Sequence, residues 1–254
     1  MNILIVYHEG KEKVILSGLK KIFVKETYSA VKRDDLQEKD YLKKDLVVVI
    51  GGDGTFLKAS HLNKDLPMVG INPHPDTREG FYSQMTINNF EEKIRMVLDK
   101  KYKIIDMLRL KAEINNMPIK QLVLNEVYIG DITPYNVFNY EITVKGKKEF
   151  QRGSGVIIGT PTGSYAWLKS SGGELMRLND KKYQFVAREL YEGKHTKDYR
   201  ITKGILDFDE SIEIIVKSPG IAVVDSRGPE IGLKISDHII ISTSKDYLRY
   251  IKLN

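Results

Sequence analysis

The run Leu46-Val47-Val48-Val49-Ile50 passes without a break into Gly51-Gly52-Asp53-Gly54-Thr55, and this junction constrains the chain more than any other stretch. Consecutive apolar, mostly β-branched residues predict a strand covered on both faces, as in a parallel sheet flanked by helices. Phe56, Leu57 and Leu62 then fit a short helix. Strand, glycine turn and helix together deliver the turn to the carboxyl edge of the sheet, where ligands bind in such folds. Glycines let the backbone approach a ligand closely, and the helix start offers unpaired N–H groups and a positive dipole end to phosphate oxygens. Asp53 is the odd member, because a carboxylate repels phosphate. It suits a base, a hydroxyl anchor or a participant in Mg2+ binding; the plainer reading makes it a helix cap.

Residues 1–101 alternate in the βα manner. A strand over Asn2–Tyr7 leads to a helical stretch with Ile15, Leu19 and Ile22 on one face, then to a charged surface connection over 32–44. After the glycine turn come a strand over 67–71, a polar loop over 72–80, and a helix with Ile87, Phe90, Ile94 and Val97 aligned. Asn88 and Glu91 are spaced as its capping pair. From about residue 102 the texture changes to short alternating or β-branched segments at 108–114, 121–128, 140–144, 155–158, 212–216, 221–224 and 239–242. Asn115-Asn116, Gly130-Asp131 and Lys145-Gly146 mark turns, and one helical interruption follows Thr162. The expectation is α/β plus all-β. Residues 1–101 form an α/β domain and 102–254 a β-rich one, with the last segment a candidate to return to the first domain.

The chain of 254 residues has no cysteine, which excludes disulfides, thiolate metal sites and a cysteine nucleophile, and no protein-built metal site is expected. Forty basic against thirty-four acidic residues give a net charge of +6. The lysines are scattered, so a solvated mixed surface is preferred to a nucleic-acid face, while the sign also suits polyphosphate ligands. No apolar run approaches the ~20 residues that span a bilayer. The opening residues carry no basic leader, so a cytoplasmic protein without membrane attachment is expected.

Gly51–Thr55 is similar to the signature shared by NAD kinases, lipid kinases of the diacylglycerol and sphingosine type, and phosphofructokinases. Three later segments choose the branch. Asn125-Glu126 resembles the Asn-Glu pair of NAD kinases. Thr160-Pro161-Thr162-Gly163-Ser164, with Ala166 and Ser171-Gly172-Gly173, resembles their Thr-Pro-Thr-Gly-Ser and Gly-Gly elements; Gly70-Ile71-Asn72 with Gly80-Phe81 resembles their next loop. The long loop 72–80, Ala59-Ser60-His61-Leu62 and Val186-Ala187-Arg188-Glu189 are similar to the plant NADH kinase and mitochondrial NAD kinase branch.

The resemblance implies an N-terminal Rossmann-like domain and a C-terminal β-sandwich. It implies transfer of the γ-phosphoryl of ATP, with Mg2+ or another divalent cation, to the adenosine 2′-hydroxyl of NAD or NADH, with Asp53 as the base. It also implies a homodimer or homotetramer. Gly51, Gly52, Gly54 and Thr55 would cradle phosphates, and Asn72, Arg78 and His74 are loop candidates for ligand contact. Asn125, Glu126, Thr160, Thr162, Gly163, Ser164, Tyr165, Ala166, Trp167 and Ser170 would hold nucleotide. Ser154 stands where the family's Gly-Asp-Gly has aspartate, Tyr165 replaces a threonine, Trp167 a tyrosine, and Ser226 the glycine after Asp225. Alternatives are a dinucleotide-binding sensor without turnover and a lipid or sugar kinase sharing the glycine turn.

Overall fold

The computed structural model describes residues 1–253 except 9–11, 134 and 195–197. Two compact units divide the chain: Met1–Asp106 with Tyr247–Asn254, and Met107–Asp246.

The sheet of the first unit runs Thr27–Lys32, Asn2–Tyr7, Leu46–Ile50, Met68–Asn72, Leu248–Lys252, Lys103–Met107, with Ser83–Thr86 also on Met68–Asn72. Its pairings from Thr27–Lys32 through Met68–Asn72 are parallel, and so is the contact of Tyr250 with Met68. Leu46, Val48 and Ile50 share one core with Ile15, Leu19 and Ile22 of helix Glu12–Ile22 and with Phe90, Ile94 and Val97 of helix Phe90–Leu98. Val47 and Val49, on the opposite face, are equally sealed. Each such side chain contributes about 1.5–3 kcal/mol of burial, which is why this strand is an immovable platform for the turn at its end.

Two expectations need correction here. The connection over 32–44 is not all surface: it holds the short helical turns Arg33–Asp35 and Glu38–Tyr41, and Tyr41 is buried, its hydroxyl donating to the Ala59 carbonyl at 2.6 Å. The cap of helix Phe90–Leu98 is Asn89, not Asn88. Asn89 turns its side-chain oxygen back to the Thr86 N–H at 2.8 Å, which shifts the helix start by one residue.

The second unit has two six-stranded sheets. One runs Lys147–Gly153, Phe138–Val144, Ser211–Val216, His238–Thr243, Leu110–Ile114, Met117–Pro118; the other Lys203–Leu206, Tyr183–Arg188, Gly155–Gly159, Glu126–Gly130, Gly220–Val224, Glu230–Leu233. Their pairings are antiparallel. Tyr140 ties one sheet to the other, its hydroxyl 2.7 Å from Gln151 Oε1 and 3.3 Å from the Gly155 carbonyl. The strand expected over 121–128 lies at Glu126–Gly130. Leu124 and Asn125 direct their N–H groups to the Asp225 carboxylate instead of to a neighbouring strand, which delays the ladder.

Candidate functional site

In the first unit Gly52 caps helix Asp53–Leu62, and the N–H groups of Thr55 and Phe56 both turn to its carbonyl, at 2.9 and 3.2 Å. The N–H groups of Asp53 and Gly54 have no residue behind them in the helix to accept their bonds, so they are the donors a ligand would meet. Gly51 is a steric necessity: a Cβ there would lie 2.5 Å from Thr55 Oγ1. Thr55 is buried, so this threonine packs the turn from below.

Asp53 is half-buried, and its Oδ1 accepts the Tyr82 N–H at 3.0 Å. Tyr82 is itself fixed. Its ring stacks on Phe56 at 4.7 Å with an interplanar angle of 1°, and Tyr250 donates its hydroxyl to the Tyr82 carbonyl at 3.3 Å. Gln84 in turn donates to the Tyr250 hydroxyl at 2.7 Å. Burial pushes the Tyr250 phenol up to about 12, with the charge of Asp53 adding to the shift. This aromatic support is invisible to local periodicity, because Phe56, Tyr82 and Tyr250 are far apart along the chain.

Asn72 is buried, and its amide organises the loop that follows: Nδ2 donates to the Arg78 carbonyl at 2.8 Å and Oδ1 accepts the His74 N–H at 2.9 Å. Gly80 closes the loop at φ +65°, where a Cβ would press on Asn72 Nδ2. The exposed Arg78 lies beside the glycine turn, its Cδ within 3.6 Å of where a Cβ of Gly52 would stand. The loop therefore brings a guanidinium to the helix N-terminus, a pairing suited to an anion.

In the second unit the Asn125-Glu126 and Thr160–Ser164 motifs form one interlocked pair of turns. The Thr160 N–H donates to the Asn125 carbonyl at 2.9 Å, and the hydroxyls of Thr160 and Thr162 both donate to the Leu124 carbonyl. Any side chain at Gly163 would collide with the Asn125 carbonyl. Ser164 donates to the Pro161 carbonyl at 2.6 Å and accepts the Met176 N–H at 3.0 Å. Thr160, Thr162 and Ser164, expected to hold nucleotide, turn their hydroxyls inward as struts. Ser171-Gly172-Gly173 ends the short helix Trp167–Ser170. Gly172 sits at φ +87° and donates to Lys169, while Gly173 donates to Leu168, a Schellman cap. Tyr165 and Ser170 are exposed, and Ala166 is half-exposed at the break before that helix.

Beside these turns lies a cavity of about 680 Å³ whose wall includes Tyr128, Asp131, Ser154, Trp167, Arg188 and Ser226. Tyr128 and Trp167 meet at 5.2 Å, and the Arg188 guanidinium stands 5.0 Å over the Trp167 ring. The volume and the aromatic wall suit a planar heterocycle, with a few polar groups to orient it. Ser154 donates its N–H to the Arg188 carbonyl at 3.0 Å, and its own carbonyl accepts the Tyr128 hydroxyl at 2.6 Å. Arg188 and Glu189, part of the Val186–Glu189 run that resembles the plant NADH kinase branch, bring charge to the wall beside Ser154; that they line this cavity follows only once the strand Tyr183–Arg188 is placed.

Residues 7–102 match the family model of the ATP-NAD kinase N-terminal domain. Over that N-terminal stretch the chain is similar to the NAD kinase family. Its similarity to curated members is partial. The probable NADH kinase of Oryza sativa subsp. japonica is 29% identical over 167 residues, covering 57% of this chain and 51% of that protein. The NAD kinase of Clostridium beijerinckii is 36% identical over 145 residues, covering 55% and 50%. The chain thus spans about half the length of the curated relatives it matches.

Among solved structures, the Archaeoglobus fulgidus NAD kinase in complex with ATP superposes with a TM-score of 0.81 at 22% identity, covering 99% of this chain and 94% of that one. The yeast NADH kinase complexed with NADH gives 0.83 at 17% identity, covering 100% and 84%. At such identities the likeness establishes the NAD kinase fold.

No helix among the described residues is long and apolar enough to cross a membrane. Among the described residues no group of three or more acidic or histidine side chains is gathered to hold a metal ion.

Proposed function

We propose that this chain transfers the γ-phosphoryl group of ATP to the adenosine 2′-hydroxyl of NAD or NADH. The observation that carries the reading is Asp53, a carboxylate oriented by the Tyr82 N–H at the start of a helix built to receive phosphate. A ribose hydroxyl is a poor nucleophile, and a carboxylate within hydrogen-bond reach removes its proton as the oxygen attacks the γ-phosphorus. The bond from that phosphorus to the β–γ bridging oxygen breaks, ADP leaves, and the proton rests on Asp53.

The N–H groups of Asp53 and Gly54, together with Arg78, favour the charged phosphates. A divalent ion carried by ATP supplies further charge neutralisation at the phosphoryl group. In this reading the ion arrives with the nucleotide substrate. In the second unit, Asn125 and Glu126 bind the dinucleotide, and Trp167 with Tyr128 receives one of its rings.

The test is direct. The purified protein, given ATP, Mg2+ and NAD or NADH, forms NADP or NADPH, and Asp53→Asn loses most of that activity. A protein that binds dinucleotide but transfers no phosphoryl group would support a sensor instead.

A further inference from the structure

Asp225 directly follows strand Gly220–Val224 and is buried, 1% exposed. Its backbone is left-handed at φ +52°, and so is that of Ser226 at φ +49°. Two non-glycine residues persist in that region only where surrounding contacts over-determine them. The contacts are on the Asp225 carboxylate. Oδ1 accepts the Asn125 N–H at 2.7 Å and the Glu126 N–H at 3.1 Å, and Oδ2 accepts the Leu124 N–H at 3.0 Å. The Asp225 N–H donates to the Glu126 carbonyl at 2.8 Å. Successive N–H groups converging on one anion form a nest, here filled by a carboxylate of the same chain. Without it, these donors would be buried and unsatisfied, and the turn would have to rearrange.

Glu126 is 3% exposed, and its Oε2 has no hydrogen-bond partner among the described residues. Its Oε1 lies 3.4 Å from Ser226 Oγ, and Ser226 lines the cavity. An unpartnered buried oxygen one hydroxyl away from a cavity wall is what a substrate group would complete. Burial first, and then the negative charge of Asp225, push the Glu126 carboxyl up to about 8. At neutral pH the substrate therefore meets an acid that can donate. Resting on the dinucleotide-binding role given to Asn125 and Glu126, we propose that Asp225 is a positioning residue of that site. It locks the Leu124-Asn125-Glu126 turn from beneath, so that both side chains meet the substrate in one geometry.

The experiment compares wild type with Asp225→Asn, an isostere that gives up the charge. Amide hydrogen exchange at Leu124, Asn125 and Glu126 is expected to speed up by about tenfold relative to Val127–Gly130. The KM for dinucleotide is expected to rise about tenfold while the KM for ATP is unchanged. The pH profile of dinucleotide binding is expected to shift towards the ordinary carboxylate range, which loss of packing alone would not cause. If Asp225→Asn fails to fold, Asp225→Glu is read by exchange and KM, its longer arm keeping the charge but misplacing the acceptor. Unchanged exchange and KM, or equal losses for both substrates with exchange rising throughout the second unit, overturn the proposal. A wild type that transfers no phosphoryl group defeats the kinase reading alone; exchange and NADH binding by calorimetry still decide the role of Asp225.

Discussion

The Asp53 carboxylate and the Tyr82 backbone N–H meet at 3.0 Å. The bond joins the glycine turn to the end of the 72–80 loop, and the Phe56–Tyr82 stack holds its donor in place. A base oriented by backbone and aromatic packing keeps its direction when substrates come and go, since the donor is part of the core.

Asp53→Asn separates chemistry from architecture. The amide oxygen can still accept the Tyr82 N–H, so thermal stability should be unchanged. Turnover should fall by about 10²–10⁴-fold, the loss expected for a general base. Steady-state kinetics beside a melting curve checks both; turnover equal to wild type would remove Asp53 from its role.

Glu126 makes stability pH-dependent in an unusual direction. Its carboxyl is pushed from 4.5 up to about 8, so between these values the folded protein keeps a proton that the unfolded chain has lost. Stability must then fall as pH rises through that window. Glu126→Gln, which cannot ionise, should flatten the slope and stabilise the fold at neutral pH by on the order of 2 kcal/mol. Urea unfolding at a series of pH values reads this out, and a variant with the wild-type slope would falsify it.

Gly163 has no room for a methyl group against the Asn125 carbonyl, whereas a Cβ at Gly232 would meet nothing within 4 Å. Gly163→Ala should therefore destabilise by about 1–3 kcal/mol, and Gly232→Ala should be nearly neutral. Parallel denaturant curves test the contrast. Equal effects at both positions would mean that the two turns are not interlocked as described.

Trp167 carries the aromatic wall of the cavity. Its replacement by alanine removes the ring that meets Tyr128 and Arg188. The KM for dinucleotide should rise about two- to tenfold, from lost stacking of about 0.5–1.5 kcal/mol, with the KM for ATP unmoved. A change in the ATP value instead would assign the cavity to the other substrate.

The loop over 72–80 and the likeness to the rice NADH kinase motivate a comparison of the two dinucleotides. NADH is expected to be phosphorylated at least as well as NAD. Parallel kinetics with both decides it, and a strong preference for the oxidised form would end this expectation.

The sequence by itself determined the layers. Leu46–Ile50 reads as a doubly covered parallel strand because every position is apolar, and Tyr140–Val144 reads as a half-covered strand because apolar and polar residues alternate. It determined the turn chemistry too, since glycines at 51, 52 and 54 and the Thr-Pro-Thr-Gly-Ser run leave few conformations. Periodicity reports neighbours along the chain and nothing about distant partners. Only the tertiary structure decided that Thr160 and Thr162 brace the Leu124 carbonyl, that Asp225 anchors the same turn, and that Tyr250 steadies the donor facing Asp53. A hydroxyl or carboxylate carries the same letter whether it faces a ligand or a buried backbone group. Which of the two it faces is settled by the chain segment that packs against it, since a buried donor or acceptor must find its partner there.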